Sequence, residues 1–453
     1  MKALPPKPTP REGKVSLWRY MKLFRKDILS AQPERLYHAW MAAFRTPFFR
    51  SFLINDRALI SAVLLKAPQN YPKSDRVTAG LKPLLGNSVF VTNGAEWERQ
   101  RRIIDPAFAG GRLQETLPAM QAALSAAIER LGQMAGPKPI EIEEFASHLA
   151  ADVIFRTLFS MPIEDAQASA VYHAFRAYQR RQPVLNIAAL IPFARRLPRV
   201  LDKQTMRQAQ NIRALIRALV AARLVEIKAG TAPDDLATKI LTTSDPVTGQ
   251  RFNEDEMLDQ VAIFFLAGHE TSAAALSWGL YLLATHPDWQ DAVAGEAATF
   301  DHTLAGLRKL VGTRDVFRET LRLYPPVPMM VREARAKTRW RGRRVPRGAQ
   351  VVISLWHLHR HQRLWRNADA FDPARWQRPD HATACRDAFM PFSAGPRICT
   401  GAGFAMVEGT VLLSGLVGQF RFAPVAEKTP IPEAHLTVRS RDGIWLRCQI
   451  RQS

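Results

Sequence analysis

Residues 392–401 read Phe392-Ser393-Ala394-Gly395-Pro396-Arg397-Ile398-Cys399-Thr400-Gly401, and a helix-compatible run, Ala402 to Val417, follows directly. A lone cysteine therefore sits in a glycine-bearing turn just before a helix. The free amide N–H groups and positive dipole end of a helix N-terminus lower a thiol pKa and favour the thiolate. Gly395 and Gly401 let the backbone approach a bulky flat group and offer amides to sulfur. By itself a glycine-flanked cysteine is more often a structural thiol. A single soft thiolate with no second cysteine or histidine beside it is wrong for zinc and suits axial ligation of haem iron. The whole spacing, Phe-x-x-Gly-x-Arg-x-Cys-x-Gly, is hard to reach by coincidence.

Outward from that loop, the chain has 453 residues, 47% hydrophobic and 23% charged, the balance of a soluble globular protein rather than a disordered one. Length alone would divide it into about three domains, yet there is no internal repeat and no linker-like boundary. One large, mainly helical domain with a minor β region is expected over residues 17–453, after a flexible arm at 1–16. The cysteines Cys385, Cys399 and Cys448 are odd in number and widely spaced. That excludes a disulfide scaffold and a Cys-x-x-Cys zinc module, and fits a reducing compartment. The most apolar runs, Val261–Ala267 and Val411–Val417, fall short of a bilayer-spanning helix, and the N-terminus has no apolar signal core. A cytoplasmic protein is expected. Basic residues outnumber acidic ones 63 to 41, a net +22, which favours acidic partners. The charge is dispersed except for a dense run, Lys337–Arg347, read as a solvated hairpin; no nucleic-acid-binding motif occurs.

The pattern is helical from Leu17 to Leu65, with aromatics and basic residues interleaved; an amphipathic helix packed on the protein, or one in peripheral contact with a membrane, fits it. A Pro/Gly-punctuated loop is expected at Gln69–Gly86 and a helix at Glu96–Arg102. Helical text then continues to about Thr285, interrupted at Gln182–Arg199 and Gly230–Asn253. Asn253–His286 is the longest helix candidate, with Asn253 and Glu256 as a capping box and Pro287 as the stop. A shorter helix, Thr313–Tyr324, ends at Pro325-Pro326. Strands are expected at Val327–Val331 and Ala349–Leu355, with a hairpin of His435–Arg439 and Ile444–Ile450 turned at Asp442-Gly443.

Three further segments carry chemistry-bearing residues. Ala267-Gly268-His269-Glu270-Thr271 lies inside the longest helix, where Gly268 costs about 1 kcal/mol relative to alanine and so asks for a reason; small residues there let a flat ligand lie against the helix. A buried Glu-Thr pair also needs hydrogen bonds or solvation. His269 reads as a packing residue. Glu319 and Arg322 stand at i, i+3 on one helix face, ordinary if exposed. Trp97 and Arg101 stand at i, i+4, one above the other.

These four segments, in this order, resemble the cytochrome P-450 superfamily, and the resemblance runs from about Phe52 to Arg447. It implies the fold of that family, a single large domain around a buried haem b. By resemblance Cys399 is the axial ligand of the haem iron, with Phe392 beside the thiolate and Gly395 and Gly401 shaping the loop. Arg397, Trp97, Arg101 and Arg332 are then contacts to the haem propionates. Thr271 is the alcohol on the oxygen-binding side and Glu270 the acid of the proton relay. Glu319 and Arg322 become a buried structural set, completed by Arg375.

The implied activity is that of a haem-thiolate monooxygenase, an oxidoreductase inserting one oxygen atom of O2, its co-substrate, into a small apolar molecule. With no fused reductase expected, electrons come from a separate donor, an acidic ferredoxin or flavodoxin with its reductase, docking near Arg99, Arg102 and Arg386. Lys82–Phe90 is expected as the loop over a pocket lined by Phe264, Phe265 and Ala267, with Val327, Met329 and Met330 opposite, the methionines adapting to an irregular substrate. Three alternatives stand. A peroxide-driven peroxygenase would lack the acid–alcohol pair. A non-catalytic haem-binding protein would need no proton relay. A basic nucleic-acid- or membrane-binding protein would leave the four motifs unexplained.

Overall fold

The computed structural model describes residues 4–45, 49–109, 112–179 and 203–452; the expected interruption at Gln182–Arg199 lies outside them. At its centre Glu254–Thr285 forms one 32-residue helix, α10 in chain order. Asn253 Oδ1 accepts from the Glu256 amide at 2.9 Å and Glu256 Oε2 accepts from the Asn253 amide at 3.0 Å, the reciprocal cap expected from the sequence. A helix apolar nearly all round must be enclosed. Directly on it pack α6 (Ile142–Phe159), α8 (Lys203–Ala229), α13 (Val311–Leu323) and α16 (Ala402–Gln419), while α5 (Leu113–Met134) closes over α6 and α16.

The other helices are shorter: α1 (Leu17–Lys26), α2 (Arg57–Ser61), α3 (Asp75–Leu85), α4 (Gly94–Ile104), α7 (Ala166–Gln179), α9 (Leu236–Thr242), α11 (Pro287–Ala298), α12 (Leu304–Leu307), α14 (Leu355–Leu358) and α15 (Ala382–Ala388). By length and composition α16 could cross a membrane, but over half of it is buried against its neighbours.

The β structure is minor, as expected. A four-stranded sheet runs in the order β1 (Met41–Arg45), β2 (Arg50–Ile54), β7 (Gln350–Ser354), β4 (Met329–Glu333). A three-stranded sheet runs β3 (Gly136–Glu141), β11 (Trp445–Ile450), β8 (Phe420–Pro424), and β5 (Thr338–Trp340)–β6 (Arg343–Val345) and β9 (Pro432–Ala434)–β10 (Val438–Ser440) are two-stranded. A large apolar core surrounds α10, and a second, smaller one lies under the four-stranded sheet around Trp340, Ile353 and Trp365.

Three expectations are corrected. The helical reading of Leu17–Leu65 gives way to strands at Met41–Arg45 and Arg50–Ile54, because β2 pairs in parallel with β7, from Ser51 opposite Gln350 to Ile54 opposite Ile353. The loop expected at Gln69–Gly86 contains α3, which tolerates Pro83 in its last turn. His435–Arg439 and Ile444–Ile450 do not form a hairpin with each other: β10 turns back on β9, and β11 lies between β3 and β8. The basic run Lys337–Arg347 does form an exposed hairpin, β5–β6.

Candidate active site

The loop of residues 392–401 connects α15 to α16. Gly395 has φ +70°, and a Cβ there would stand 2.1 Å from the Leu64 carbonyl oxygen, so only glycine fits. The Cys399 amide donates to Phe392 O at 2.9 Å and the Ile398 amide to Gly395 O at 3.0 Å, closing the turn. Burial pushes the Cys399 thiol up, while the Gly401 amide aimed at the sulfur and the Arg101 charge pull it down. Cys399 nonetheless has open surface. Protein atoms stand close around the sulfur while part of the residue's surface stays open.

A cluster of cations adjoins this loop. Arg397 lies 4.0 Å above the Trp97 ring and donates to Asn93 Oδ1 at 2.9 Å. Arg101, one turn on from Trp97 along α4, donates to Ile398 O at 2.7 Å and pairs with Asp105. Arg332, on β4, is buried and bonds its neighbour's carbonyl, Val331 O, at 3.2 Å. Burial lowers Arg332 to about 10; burial and then the charges of Arg332 and Arg101 lower Arg397 to about 10.

Lys73 joins them, bridged by backbone to Arg332 and donating to Val89 O at 2.7 Å. Burial, then Arg397, Arg332 and Arg101, hold its ammonium well below the usual lysine range. Buried cations need counter-charge, and Asp105 serves Arg101 alone. Cations gathered beside a lone thiol at the start of a helix fit haem, a flat dianionic iron cofactor that would take the thiolate on its metal and set its two carboxylates among the cations. Sequence reasoning missed Lys73: nothing about a lone lysine after Pro72 marks it.

On α10, Phe264, Ala267 and Thr271, at i, i+3 and i+7, form an open stripe, bordered by the partly buried Gly268 and Ser272, in a helix whose middle is otherwise enclosed. Thr271 Oγ1 donates to Ala267 O at 2.5 Å. Glu270 is buried and fully engaged: Oε1 accepts from Thr437 Oγ1 at 2.7 Å and Arg439 Nη2 at 2.8 Å, and Oε2 from Gln179 Nε2 at 3.1 Å. His269 meets Ser147 Oγ at 2.8 Å between the Phe265 and Tyr172 rings, and burial lowers it to about 3, so it is a neutral packing group.

Gly268 has a reason beyond the expected one. A Cβ there would come within 2.3 Å of Ile154 Cδ1, so the glycine serves the close approach of α6. A second residue missed by sequence reasoning is Glu408, on α16, which accepts from Ser272 Oγ at 2.5 Å and which burial raises to about 8. Its signal was available: it is the sole ionisable residue in the apolar text of Ala402–Gln419.

The expected pocket residues separate. Phe264 meets Phe108 across 5.7 Å, and Val327 and Met329 are half-buried. Phe265 is instead 2% exposed between Phe155 and Phe175, at 5.0 and 4.5 Å, and belongs to the contact with α6 and α7. Met330 packs in the second core while Met329 packs on the first, as alternation along β4 requires. Of the expected loop over the pocket, Lys82–Leu85 are the end of α3; the rest is tied to α10 by Asn87 N–H on Asp259 Oδ2 (2.7 Å) and Val89 N–H on Gln260 Oε1 (2.9 Å).

Glu319, Arg322 and Arg375 meet with no exposed side-chain surface. Arg322 grips Glu319 with two bonds, at 2.7 and 2.8 Å, and Arg375 adds a third at 2.9 Å. Of the expected docking residues, Arg99 is bidentate to Glu256 and Arg102 to Asp245, whereas Arg386 pairs only with adjacent Asp387 and stays 73% exposed.

The cytochrome P450 family profile matches residues 41–445. Among characterised relatives, cyclooctat-9-en-7-ol 5-monooxygenase of Streptomyces melanosporofaciens is 30% identical over 427 residues, 92% of this chain and 88% of that one. Cyclooctatin synthase of the same organism is 29% identical, covering 84% and 82%, and a cytokinin hydroxylase of Arabidopsis thaliana is 29% identical, covering 86% and 77%.

Proposed function

This chain belongs to the cytochrome P450 family and is a haem-thiolate monooxygenase, and from that premise we propose which residues carry the reaction and what it acts on. Haem, when bound, supplies the oxygen-activating chemistry that a thiolate ligand favours. Cys399 is the thiolate, and the observation that carries this assignment is its setting: an amide from Gly401, the nearby charge of Arg101, and the start of α16 directly behind it. Arg101, Arg332, Arg397 and Lys73 hold the two carboxylates, and Trp97 orders Arg397 by stacking.

Thr271 holds a hydroxyl proton on the open stripe of α10. Glu270, next to it along α10 and held in place by Thr437, Arg439 and Gln179, is the acid assigned to the proton relay. Glu319, Arg322 and Arg375 hold the fold around the cofactor. Phe264, Ala267, Val327 and Met329 form an apolar lining, which fits an apolar organic substrate. The relative named for oxidising cyclooctat-9-en-7-ol makes alicyclic alcohols of that kind the first substrates to try. Electrons come from a separate acidic ferredoxin or flavodoxin in the cytoplasm, for which Arg386 is the exposed candidate contact.

The test is the carbon-monoxide spectrum of the reduced protein. Wild type gives the red-shifted Soret band specific to a thiolate ligand, and Cys399→Ser binds haem without that band. A folded, haem-supplied wild-type protein lacking the band, or a Cys399→Ser variant retaining it, overturns the assignment.

A further inference from the structure

The active site uses little of the +22 charge and none of the dense basic run. Much of the excess gathers on three exposed elements that touch one another. From Arg11 to Lys26, through α1, six basic residues face one acidic residue, Glu12; from Arg335 to Arg347, through β5–β6, seven basic residues face none. Between them lies the β1–β2 pair, with Arg45 and Arg50 at its tip. Tyr20 of α1 stacks on Phe44 of β1 at 6.5 Å, Trp340 of β5 stands edge-on to Phe52 of β2 at 6.3 Å, and Arg341 pairs with Asp56 just beyond β2.

Two features of this surface work against folding. Arg45 lies directly opposite Arg50 in the β1–β2 register, and Arg339 directly opposite Arg344 in β5–β6. All four are exposed, and among the described residues no carboxylate pairs with any of them. Like charges facing each other across a ladder destabilise it, so counter-charge from outside the chain is the natural complement. The second feature is Trp18, at 82% the most exposed large apolar side chain among the described residues. It shares a face of α1 with Lys22 and Arg25, at i+4 and i+7.

We propose that α1, the tip of β1–β2 and the β5–β6 hairpin form one face that seats on the anionic surface of a lipid bilayer. Paired arginines suit phosphate oxygens, which accept their forked donors. An aromatic with a polar edge, standing among cations on an amphipathic helix, suits the headgroup layer. A nucleic acid or an acidic protein would satisfy the arginines and leave Trp18 without a reason.

The experiment is sedimentation of the full chain with phosphatidylcholine vesicles, with and without roughly a third phosphatidylglycerol. Binding is expected only with the anionic lipid and is expected to weaken as salt rises. Arg344→Glu relieves the repulsion with Arg339, so it raises the melting temperature while lowering vesicle partition about tenfold; a merely structural role would not move the two in opposite directions. Trp18→Ala lowers partition several-fold and leaves retention on heparin unchanged. Failure to sediment with anionic vesicles at low salt overturns the proposal. So does a Trp18→Ala variant that binds vesicles like wild type, because the face is then a general polyanion surface for nucleic acid or acidic protein.

Discussion

At the scale of single residues, Glu408 shows how burial sets a protonation state. It sits in α16 with 1% of its surface exposed and takes one hydrogen bond, from Ser272. Desolvation raises its carboxyl to about 8, against the partial pull of that bond, so the folded protein holds Glu408 neutral at pH 7. Because the folded pKa lies above the unfolded one, the stability this group contributes is fully present below about 4.5. It is lost as pH rises through about 8, since the unfolded state releases the proton first. Glu408→Gln keeps the shape and the Ser272 bond but has no proton to lose. The difference in melting temperature between variant and wild type is expected to move in the variant's favour by roughly a few degrees from pH 5 to pH 8. Thermal scans at the two pH values check it; a difference constant with pH would mean Glu408 is already ionised in the fold. The residue was legible in the sequence as a lone carboxylate in apolar text; its partner was not, because Ser272 is brought to it only by the packing of α10 on α16.

At the scale of elements, what was legible is what is local. The capping box of α10 needs only Asn253 and Glu256, and the Cys399 turn needs only ten consecutive residues. β1 and β2 were hidden because their strand character comes from β7, almost 300 positions on, and local helical periodicity competes with it. Asp442-Gly443 is a true turn, but what flanks it is decided by which earlier strands are free, β9 for one side and β3 and β8 for the other. Gly268 was seen in the sequence, but the protein neighbour that requires it was not, since that reason is whatever stands opposite it. That partner is Ile154 Cδ1, the far end of a flexible side chain. Gly268→Ala therefore gains about 1 kcal/mol in helix propensity against a repacking cost of about 1–3 kcal/mol. The net loss is expected to be small, up to about 2 kcal/mol, and to shrink in the double variant with Ile154→Val, which deletes Cδ1 at 2.3 Å and leaves only the Cγ1 contact at 2.9 Å. Urea unfolding of the two variants measures both; no recovery in the double variant would place the constraint elsewhere than α6.

At the scale of the whole molecule, the buried set on Glu319 ties the helical core to the loop that presents Cys399. Besides Glu319, Arg322 donates to the carbonyls of His359 at 2.9 Å, Ala368 at 2.6 Å and Ala370 at 2.9 Å. Arg375 donates to Arg366 O at 3.1 Å. His359, which burial lowers to about 3, is neutral and accepts the Met390 amide at Nε2 (3.1 Å), two residues before Phe392. One carboxylate thus holds two guanidinium groups, and these hold the irregular segment 359–370, whose histidine holds the start of the cysteine loop. The side-chain members stood in the sequence as Glu319 and Arg322 at i, i+3, with Arg375 added by resemblance; the carbonyl acceptors did not, because any residue type supplies one. Glu319→Gln removes the charge that both arginines share and leaves them buried without compensation. Breaking a buried ion pair from one side costs about 3–5 kcal/mol, a large part of the 5–15 kcal/mol that separates folded from unfolded domains. The variant is expected to lose that much in urea unfolding and to carry markedly less haem per chain than wild type, since segment 359–370 no longer fixes the loop. Unfolding like wild type would show that the two arginines are held by the backbone carbonyls, with Glu319 a spectator.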